Sequence, residues 1–173
     1  FRRVLFRSGG NITITADRLT LVGGNITSSG GALILQPNAV AETIGVVAGA
    51  TGGFDLDVNE IVLLSDGFSS ITIGRSNGTG AIDINAITFN DNVTIAGGAI
   101  AVTGLNAGSN TVTLTARGAT AITDGDAGST LDITGTTVTL TATTGIGATG
   151  AGDSIEVDAT TIAATNATPG GSF

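Results

Sequence analysis

The chain has 173 residues and contains no Cys, His, Met, Trp, Tyr or Lys. Without Cys and His, a thiolate or imidazole metal site, a cysteine nucleophile and a Ser-His-Asp triad are excluded. The formal net charge of −8 argues against nucleic acids and anionic membrane surfaces as partners. No apolar run approaches the length of about 18 residues that a membrane-spanning helix needs. A content of 41% apolar and only 12% charged residues argues against disorder.

The first eight residues differ in character from the rest. Residues 1–8 (FRRVLFRS) hold three of the six Arg and two of the six Phe, and they lack the Gly and Thr that dominate the remainder. All eight resemble the translation of a common sequencing adapter. Such segments are left out of fold prediction. We therefore expect the protein proper to be residues 9–173, a metagenomic fragment of a longer protein.

From residue 9 onward, pairs of apolar residues separated by one position recur about every 20 residues. This alternation is typical of strands with one buried face, and β-branched residues and Gly interrupt every window long enough for a helix. The pairs that open the predicted units are Ile12/Ile14, Leu33/Leu35, Phe54/Leu56, Ile71/Ile73, Val93/Ile95, Val112/Leu114, Leu131/Ile133 and Ile155/Val157. Second pairs follow at Leu19/Leu21, Ile44/Val46, Ile61/Leu63, Ile82/Ile84, Ile100/Val102, Val138/Leu140 and, more weakly, Ala119/Ala121 and Ile162/Ala164.

Short strands at even spacing fit either a β-sandwich or a β-solenoid. The regular return of the same aliphatic pair favours the solenoid, because stacked coils join their apolar faces into one core. We predict an all-β fold, a parallel β-helix of about eight coils of roughly 20 residues, with the opening pairs stacked in one column. A sandwich of adhesin repeats is the alternative, and antiparallel pairing would indicate it.

One stretch carries a family resemblance. Residues 66–75 (DGFSSITIGR), followed by Gly78-Thr79-Gly80, resemble repeats of the filamentous-haemagglutinin-like exoproteins of Gram-negative bacteria, and similar texture and repeat length extend over most of residues 9–173. The resemblance implies a right-handed parallel β-helix, export across the outer membrane and a role as an adhesin shaft. The secretion-signal motif of the family is not found in this sequence.

The function predicted from this resemblance is a non-catalytic structural segment of a secreted or surface-exposed adhesin. It would extend and present other parts of the protein, and host or surface glycans and proteins are its candidate partners. A calcium-dependent β-roll adhesin segment is an alternative.

An enzyme is the alternative from another class, because parallel β-helices also carry polysaccharide lyases and hydrolases. Their chemistry needs paired carboxylates, or a cationic base beside bound calcium. The candidate groups are Asp55/Asp57, Asp124/Asp126/Asp132 and Glu156/Asp158, with Arg18, Arg75 and Arg117 as cations. The predicted coils keep these groups apart, so we predict no catalytic residues. Two carboxylates and an Arg in one groove would favour the enzyme.

Candidate calcium ligands are Asp124, Asp126, Asp132 and Asp153. The segment 124–128 (DGDAG), with Asp132 beyond it, resembles oxygen-ligand calcium loops. The segment 150–155 (GAGDSI) resembles the Gly-x-Gly-x-Asp calcium roll with displaced glycines. Neither has a full ligand set, so we predict acidic corners in contact with water and no cofactor, with calcium as the alternative.

Two further expectations concern the outer face and the ends. Only two of the eight opening strands, at Thr13/Thr15 and Thr113/Thr115, have Thr at both outward positions. We therefore expect no ordered threonine array of the kind that suits ice binding, and attribute the Thr to β-propensity.

Neither end has an atypical capping unit, and uncapped coils expose strand edges, so we expect end-to-end self-association of this chain.

Overall fold

The computed structural model describes residues 7–47, 49–126, 128–147 and 154–167. Within these residues it has seventeen strands and one four-residue helix, α1 (Val58–Ile61), and no helix long and apolar enough to cross a membrane. The strands are β1 (Arg7–Ser8), β2 (Ile12–Ala16), β3 (Thr27–Ser28), β4 (Ala32–Pro37), β5 (Ile44–Val46), β6 (Phe54–Leu56), β7 (Ser70–Gly74), β8 (Ile82–Ile84), β9 (Ile87–Thr88), β10 (Val93–Gly97), β11 (Ile100–Val102), β12 (Leu105–Asn106), β13 (Thr111–Ala116), β14 (Ala121–Asp124), β15 (Ile133–Ala142), β16 (Gly145–Ile146) and β17 (Val157–Asn166).

Every strand pairing among the described residues is parallel, so the antiparallel hairpins of a sandwich do not occur in this part of the chain. The large sheet runs β2-β4-β7-β10-β13-β15-β12-β9, with β17 also on β15. It curls at β15, whose C-terminal part pairs with β13 and whose N-terminal part pairs with β12. We call β2, β4, β7, β10, β13 and the C-terminal part of β15 the long limb, and β9, β12 and the N-terminal part of β15 the short limb. The small sheet runs β16-β14-β11-β8-β5-β6.

From β7 onward the chain visits the long limb, the small sheet and the short limb in turn, and then returns to the long limb one strand further along. Like residues therefore stack on like residues in each part. The inward columns are Ile71, Val93, Val112 and Val138 in the long limb, Ile82, Ile100 and Ile122 in the small sheet, and Ile87, Leu105 and Ile133 in the short limb.

The inward side chains of both limbs and of the small sheet belong to one hydrophobic core. Within β10, Ile95 is 0% exposed, and it stacks between Ile73 and Leu114. Each fully buried aliphatic side chain of this kind contributes about 1.5–3 kcal/mol relative to its exposure to water. The predicted all-β class and the inward positions of these central pairs are confirmed.

The predicted single column is wrong at Phe54, Leu131 and Ile155. Phe54 stacks on Ile44 in the small sheet, because the chain turns back after β5 and places β6 on the side of β5 away from β8. Leu131 is 47% exposed. The long limb continues instead through Val138 and Ile162, which had been predicted as second-pair members.

The turn back after β5 also contains α1, where the sequence pattern predicted a strand pair at Ile61/Leu63. The helix begins at a capping box: the Asp57 carboxylate accepts from the Glu60 N–H at 2.9 Å, and the Glu60 carboxylate accepts from the Asp57 N–H at 3.0 Å. This reciprocal pair satisfies two backbone donors of the first turn. The local sequence Asp-x-x-Glu carried this signal, which overrides the period-two pattern.

Asparagine side chains fasten neighbouring strands at one corner of the long limb. The Asn11 side-chain oxygen accepts from the Ala32 N–H at 2.9 Å. Asn92 donates to the Ser69 carbonyl at 3.0 Å and accepts from the Thr111 N–H at 2.9 Å, so it joins the segments that lead into β7, β10 and β13. These bonds satisfy backbone groups that the turn leaves outside the ladder.

The expectation of no ordered threonine array is wrong for the C-terminal part of the long limb. Here the outward residues of β13 are paired with those of β15, and β17 continues the rows. The rows are Thr111-Thr137-Thr161, Thr113-Thr139-Ala163 and Thr115-Thr141-Thr165. The array was missed because β15 and β17 were placed in the wrong register, which moves their threonines off the face.

An introduced aspartate should lower the free energy of unfolding far more on the inward face of the long limb than on its outward face. Ile95→Asp places a carboxylate among aliphatic side chains, where it has no partner, and should destabilise the fold by several kcal/mol. Thr113→Asp, on the outward face between Thr94 and Thr139, should cost less than about 1 kcal/mol. Urea unfolding followed by circular dichroism measures both, and equal costs would contradict the assignment of the two faces.

Candidate metal centre

Three carboxylates meet at the corner between the small sheet and the short limb. Asp124 ends β14 in register with Val102, so it occupies a column that aliphatic residues hold in the neighbouring strands. Asp132 directly precedes Ile133, and Glu156 directly precedes Val157; Ile133 and Val157 are paired. Parallel stacking therefore places Asp132 and Glu156 one above the other, beside the end of β14.

The three side chains lie close together and are poorly satisfied. One oxygen from each lies within 4.8 Å of the others. Asp132 is 1% exposed, and its Oδ2 accepts from the Glu156 N–H at 2.9 Å. The Oδ1 of Asp124 accepts from the Asp126 N–H at 2.8 Å. Each side chain also has one buried oxygen without a hydrogen-bond partner: Asp124 Oδ2, Asp132 Oδ1 and Glu156 Oε2.

Burial and electrostatic repulsion both disfavour the charged carboxylates at this corner. Burial, together with the charges of Asp124 and Glu156, raises the pKa of Asp132 to about 6, although the bond from the Glu156 N–H acts in the opposite direction. At an effective dielectric constant of about 20, two unit charges at this separation repel by about 3 kcal/mol. Among the side chains that the structure describes, no arginine forms a salt bridge with the three carboxylates.

The four residues that the sequence offered as candidate calcium ligands have different outcomes. Asp124 and Asp132 are brought together. Asp126 is exposed and satisfied locally: it accepts from the Thr130 hydroxyl at 2.9 Å and the Gly128 N–H at 3.0 Å, and these bonds lower its pKa. Asp153 lies outside the described residues.

Glu156 was missed as a metal-binding candidate and was predicted only as an acidic group of the enzyme alternative. The available signal was the matching position of two carboxylates, in Leu131-Asp132-Ile133 and Ile155-Glu156-Val157. The predicted stacking of these two segments is correct. What the sequence did not show is that the end of β14 brings Asp124 beside them and that Asp132 is buried. Asp158, the partner of Glu156 in the enzyme alternative, pairs in register with Thr134 and is exposed.

A second acidic cluster bears on the enzyme alternative. A groove of about 280 Å³ is lined by Arg18, Asp55, Asp57 and Glu60, so the prediction that Arg18 lies apart from Asp55 and Asp57 is wrong. The turn back of the chain brings β6 and α1 beside the segment after β2. Glu60 accepts from the Leu21 N–H at 2.8 Å as well as from Asp57, and burial raises its pKa. Asp57 and Glu60 therefore have structural roles in holding α1.

A further groove, of about 720 Å³, lies between α1 and the short limb. Val58, Val62 and Leu131 line it and are 45%, 66% and 47% exposed. Asp91 is the one ionisable group among its lining residues, and its carboxylate accepts from the Gly67 N–H at 3.1 Å. This groove lacks the paired acid and base groups of a hydrolytic site.

Of the remaining arginines, Arg75 donates to the Pro37 and Asn38 carbonyls, at 3.0 and 3.3 Å.

Comparison with protein-family models, with curated proteins and with solved structures gives no match to this chain.

The acidic corner predicts that the metal-free protein loses stability as the pH rises. Folding raises the pKa of Asp132 from 3.8 to about 6, so the folded state holds this proton more tightly than the unfolded state does. The stabilisation of the folded state by this proton is fully present below about pH 4. It is lost as the pH rises through 6, which lowers the free energy of unfolding by at most about 3 kcal/mol.

The measurement is urea unfolding of the wild type and of Asp132→Asn between pH 4 and 8, in a buffer with a chelator. The free energy of unfolding of the wild type should fall relative to that of the variant across this range. Parallel pH profiles for the two proteins would contradict the raised pKa.

Proposed function

We propose that this chain is a parallel β-helix with a structural role, and that it extends and presents other parts of a larger protein. The observation that carries the proposal is the repeated passage of the chain through the long limb, the small sheet and the short limb, with like residues in register. A repeat of this type adds length by adding coils, and each coil needs only the neighbouring coil for its core.

We further propose that the parent protein is a secreted or surface-exposed adhesin of a Gram-negative bacterium. Support comes from the resemblance of residues 66–75 (DGFSSITIGR) to filamentous-haemagglutinin-like repeats and from the absence of Cys in the whole chain. An exported chain without Cys cannot form disulfides before it folds. Glycans or proteins of a host or of another surface are the partners that such a role implies.

A non-catalytic role is supported by what the acidic groups do. In the groove of Arg18, two of the three carboxylates hold the first turn of α1. At the corner of Asp132, three carboxylates meet, and no described arginine forms an ion pair with them. A polysaccharide-cleaving enzyme is the second candidate. It is favoured because one groove holds Arg18 together with Asp55, Asp57 and Glu60, and an Arg with two carboxylates is the arrangement that such an enzyme needs. Turnover of a polysaccharide that is lost in Asp55→Asn would favour that alternative.

Removal of one complete coil tests the repeat architecture. Deletion of residues 93–111 joins Asn92 to Val112 and preserves the register, because Val112 then stacks on Ile71 as Val93 did. The shortened chain should remain folded, and its length along the stacking direction should fall by about 4.8 Å, the spacing of neighbouring strands. Circular dichroism and small-angle X-ray scattering measure these two results.

A matched deletion of residues 93–102 serves as the control. It joins Asn92 to Thr103 and brings short-limb residues into the position of a long-limb strand, so this variant should unfold or aggregate. If the in-register deletion is as damaging as this control, the repeat architecture is contradicted.

The exposed edge of β17 predicts self-association of this chain when it is expressed alone. Among the described residues β17 pairs only with β15, and Ile162, which continues the long-limb column, is 53% exposed. An unpaired edge with an apolar surface is a template for pairing with another copy. Association should increase with salt, because salt screens the repulsion between negatively charged chains.

Light scattering across a salt series measures this association. Ile162→Asp should suppress it, whereas Val62→Asp, at a 66% exposed position on the segment after α1, should leave it unchanged. Salt-independent monomers of the wild type would contradict end-to-end association.

A further inference from the structure

We propose that the corner formed by Asp124, Asp132 and Glu156 binds a calcium ion, and that this ion fastens β14, β15 and β17 to one another. The proposal rests on the geometry of these side chains and not on the structural role proposed above. Each contributes a buried carboxylate oxygen without a hydrogen-bond partner, and the three side chains meet at one place.

Burial without a partner is the observation that separates this corner from an ordinary acidic surface. Exposed carboxylates satisfy their oxygens with water, as Asp158 can. Asp132 is 1% exposed, its Oδ1 has no donor, and the nearest charged groups are carboxylates. A buried charge needs a partner of opposite sign. A shared proton could supply one donor at acid pH, but it cannot satisfy three carboxylate oxygens at neutral pH.

The donor set selects the class of ion. The ligands are all carboxylate oxygens, which suit hard cations, and the chain has no Cys or His for a softer metal. Three oxygens within 4.8 Å of one another are close to the spacing around a central Ca²⁺, whose ligands lie at about 2.3–2.6 Å. Calcium also tolerates irregular coordination, which suits ligands from three separate turns, whereas Mg²⁺ demands near-ideal octahedral geometry.

The position of the corner determines what the ion would do. Asp124 is the last residue of β14 in the small sheet, Asp132 leads into β15, and Glu156 leads into β17 on the next passage of the chain. One ion would thus tie the small sheet to the large sheet and two successive passages to each other. It would also remove the repulsion that the three charges impose on the metal-free protein.

The test is calorimetric titration of the chelator-treated full chain with CaCl₂ at neutral pH, together with thermal unfolding followed by circular dichroism. Neither method needs Trp or Tyr, which the chain lacks. We expect one site with a dissociation constant of about 10⁻⁵ to 10⁻³ M. At calcium 100 times that constant, the unfolding equilibrium should shift about 100-fold towards the folded state.

Two variants and one control connect this effect to the corner. Asp132→Asn and Glu156→Gln keep the shape of each side chain but remove a charge, so each should fold and lose at least tenfold in calcium affinity. Asp158→Asn, on an exposed side chain two residues from Glu156, should bind calcium as the wild type does. Absence of binding by the wild type up to about 10 mM calcium, or unchanged affinity in both corner variants, would overturn the proposal.

Two further measurements test the choice of ion and its structural effect. Titration with MgCl₂ should give much weaker binding, and equal affinity for the two ions would overturn the assignment to calcium. Hydrogen exchange should show that calcium protects amides of β14, β15 and β17 more than those of β2, at the other end of the long limb. Equal protection of both regions would overturn the fastening role.

Discussion

The structure depends on the parallel, in-register stacking of aliphatic side chains. A short strand such as β8 or β11 buries its Ile and Val residues only when a like strand lies on each side and the opposite face of the core is closed. The three columns through the long limb, the small sheet and the short limb meet this condition together, because their inward residues share one core. Corner asparagines such as Asn92 add hydrogen bonds between neighbouring strands, but these bonds have the right geometry only once the aliphatic columns are in register.

The same constraint explains where the irregular features are. The chain departs from regular passage between β5 and β7, where β6 pairs on the far side of β5 and α1 follows it. This departure needs a local signal strong enough to break the strand pattern, and the capping box of Asp57 and Glu60 provides it. The result is a groove in which Arg18 lies near three carboxylates, although nothing in the spacing of these residues along the sequence indicates that they meet.

The acidic corner arises from the stacking in a similar way. In the aliphatic columns, residues at equivalent positions on neighbouring strands attract; at the corner, equivalent positions carry Asp132 and Glu156, and the end of β14 adds Asp124. The geometry that stabilises the core therefore concentrates negative charge, and burial prevents water from screening it. A cation at this corner would turn the least favourable part of the stack into a link between its two sheets. The ordered threonine rows of β13, β15 and β17 are a second consequence of the same register.

The sequence alone determined the all-β class, the period-two burial of the central pairs and the turn positions, because these depend on neighbouring residues and on a repeat that recurs along the chain. Ile71, Val93 and Val112 stack as their spacing predicts. Tertiary structure decided which apolar pair belongs to which part of the fold: Phe54 joined the small sheet, and Val138 displaced Leu131 from the long limb. The reason is that corners of unequal length shift the register, and an aliphatic pair fits any of the three columns equally well. Only the closing of the whole core selects among them, and with that selection it brings Asp124 beside the stacked Asp132 and Glu156.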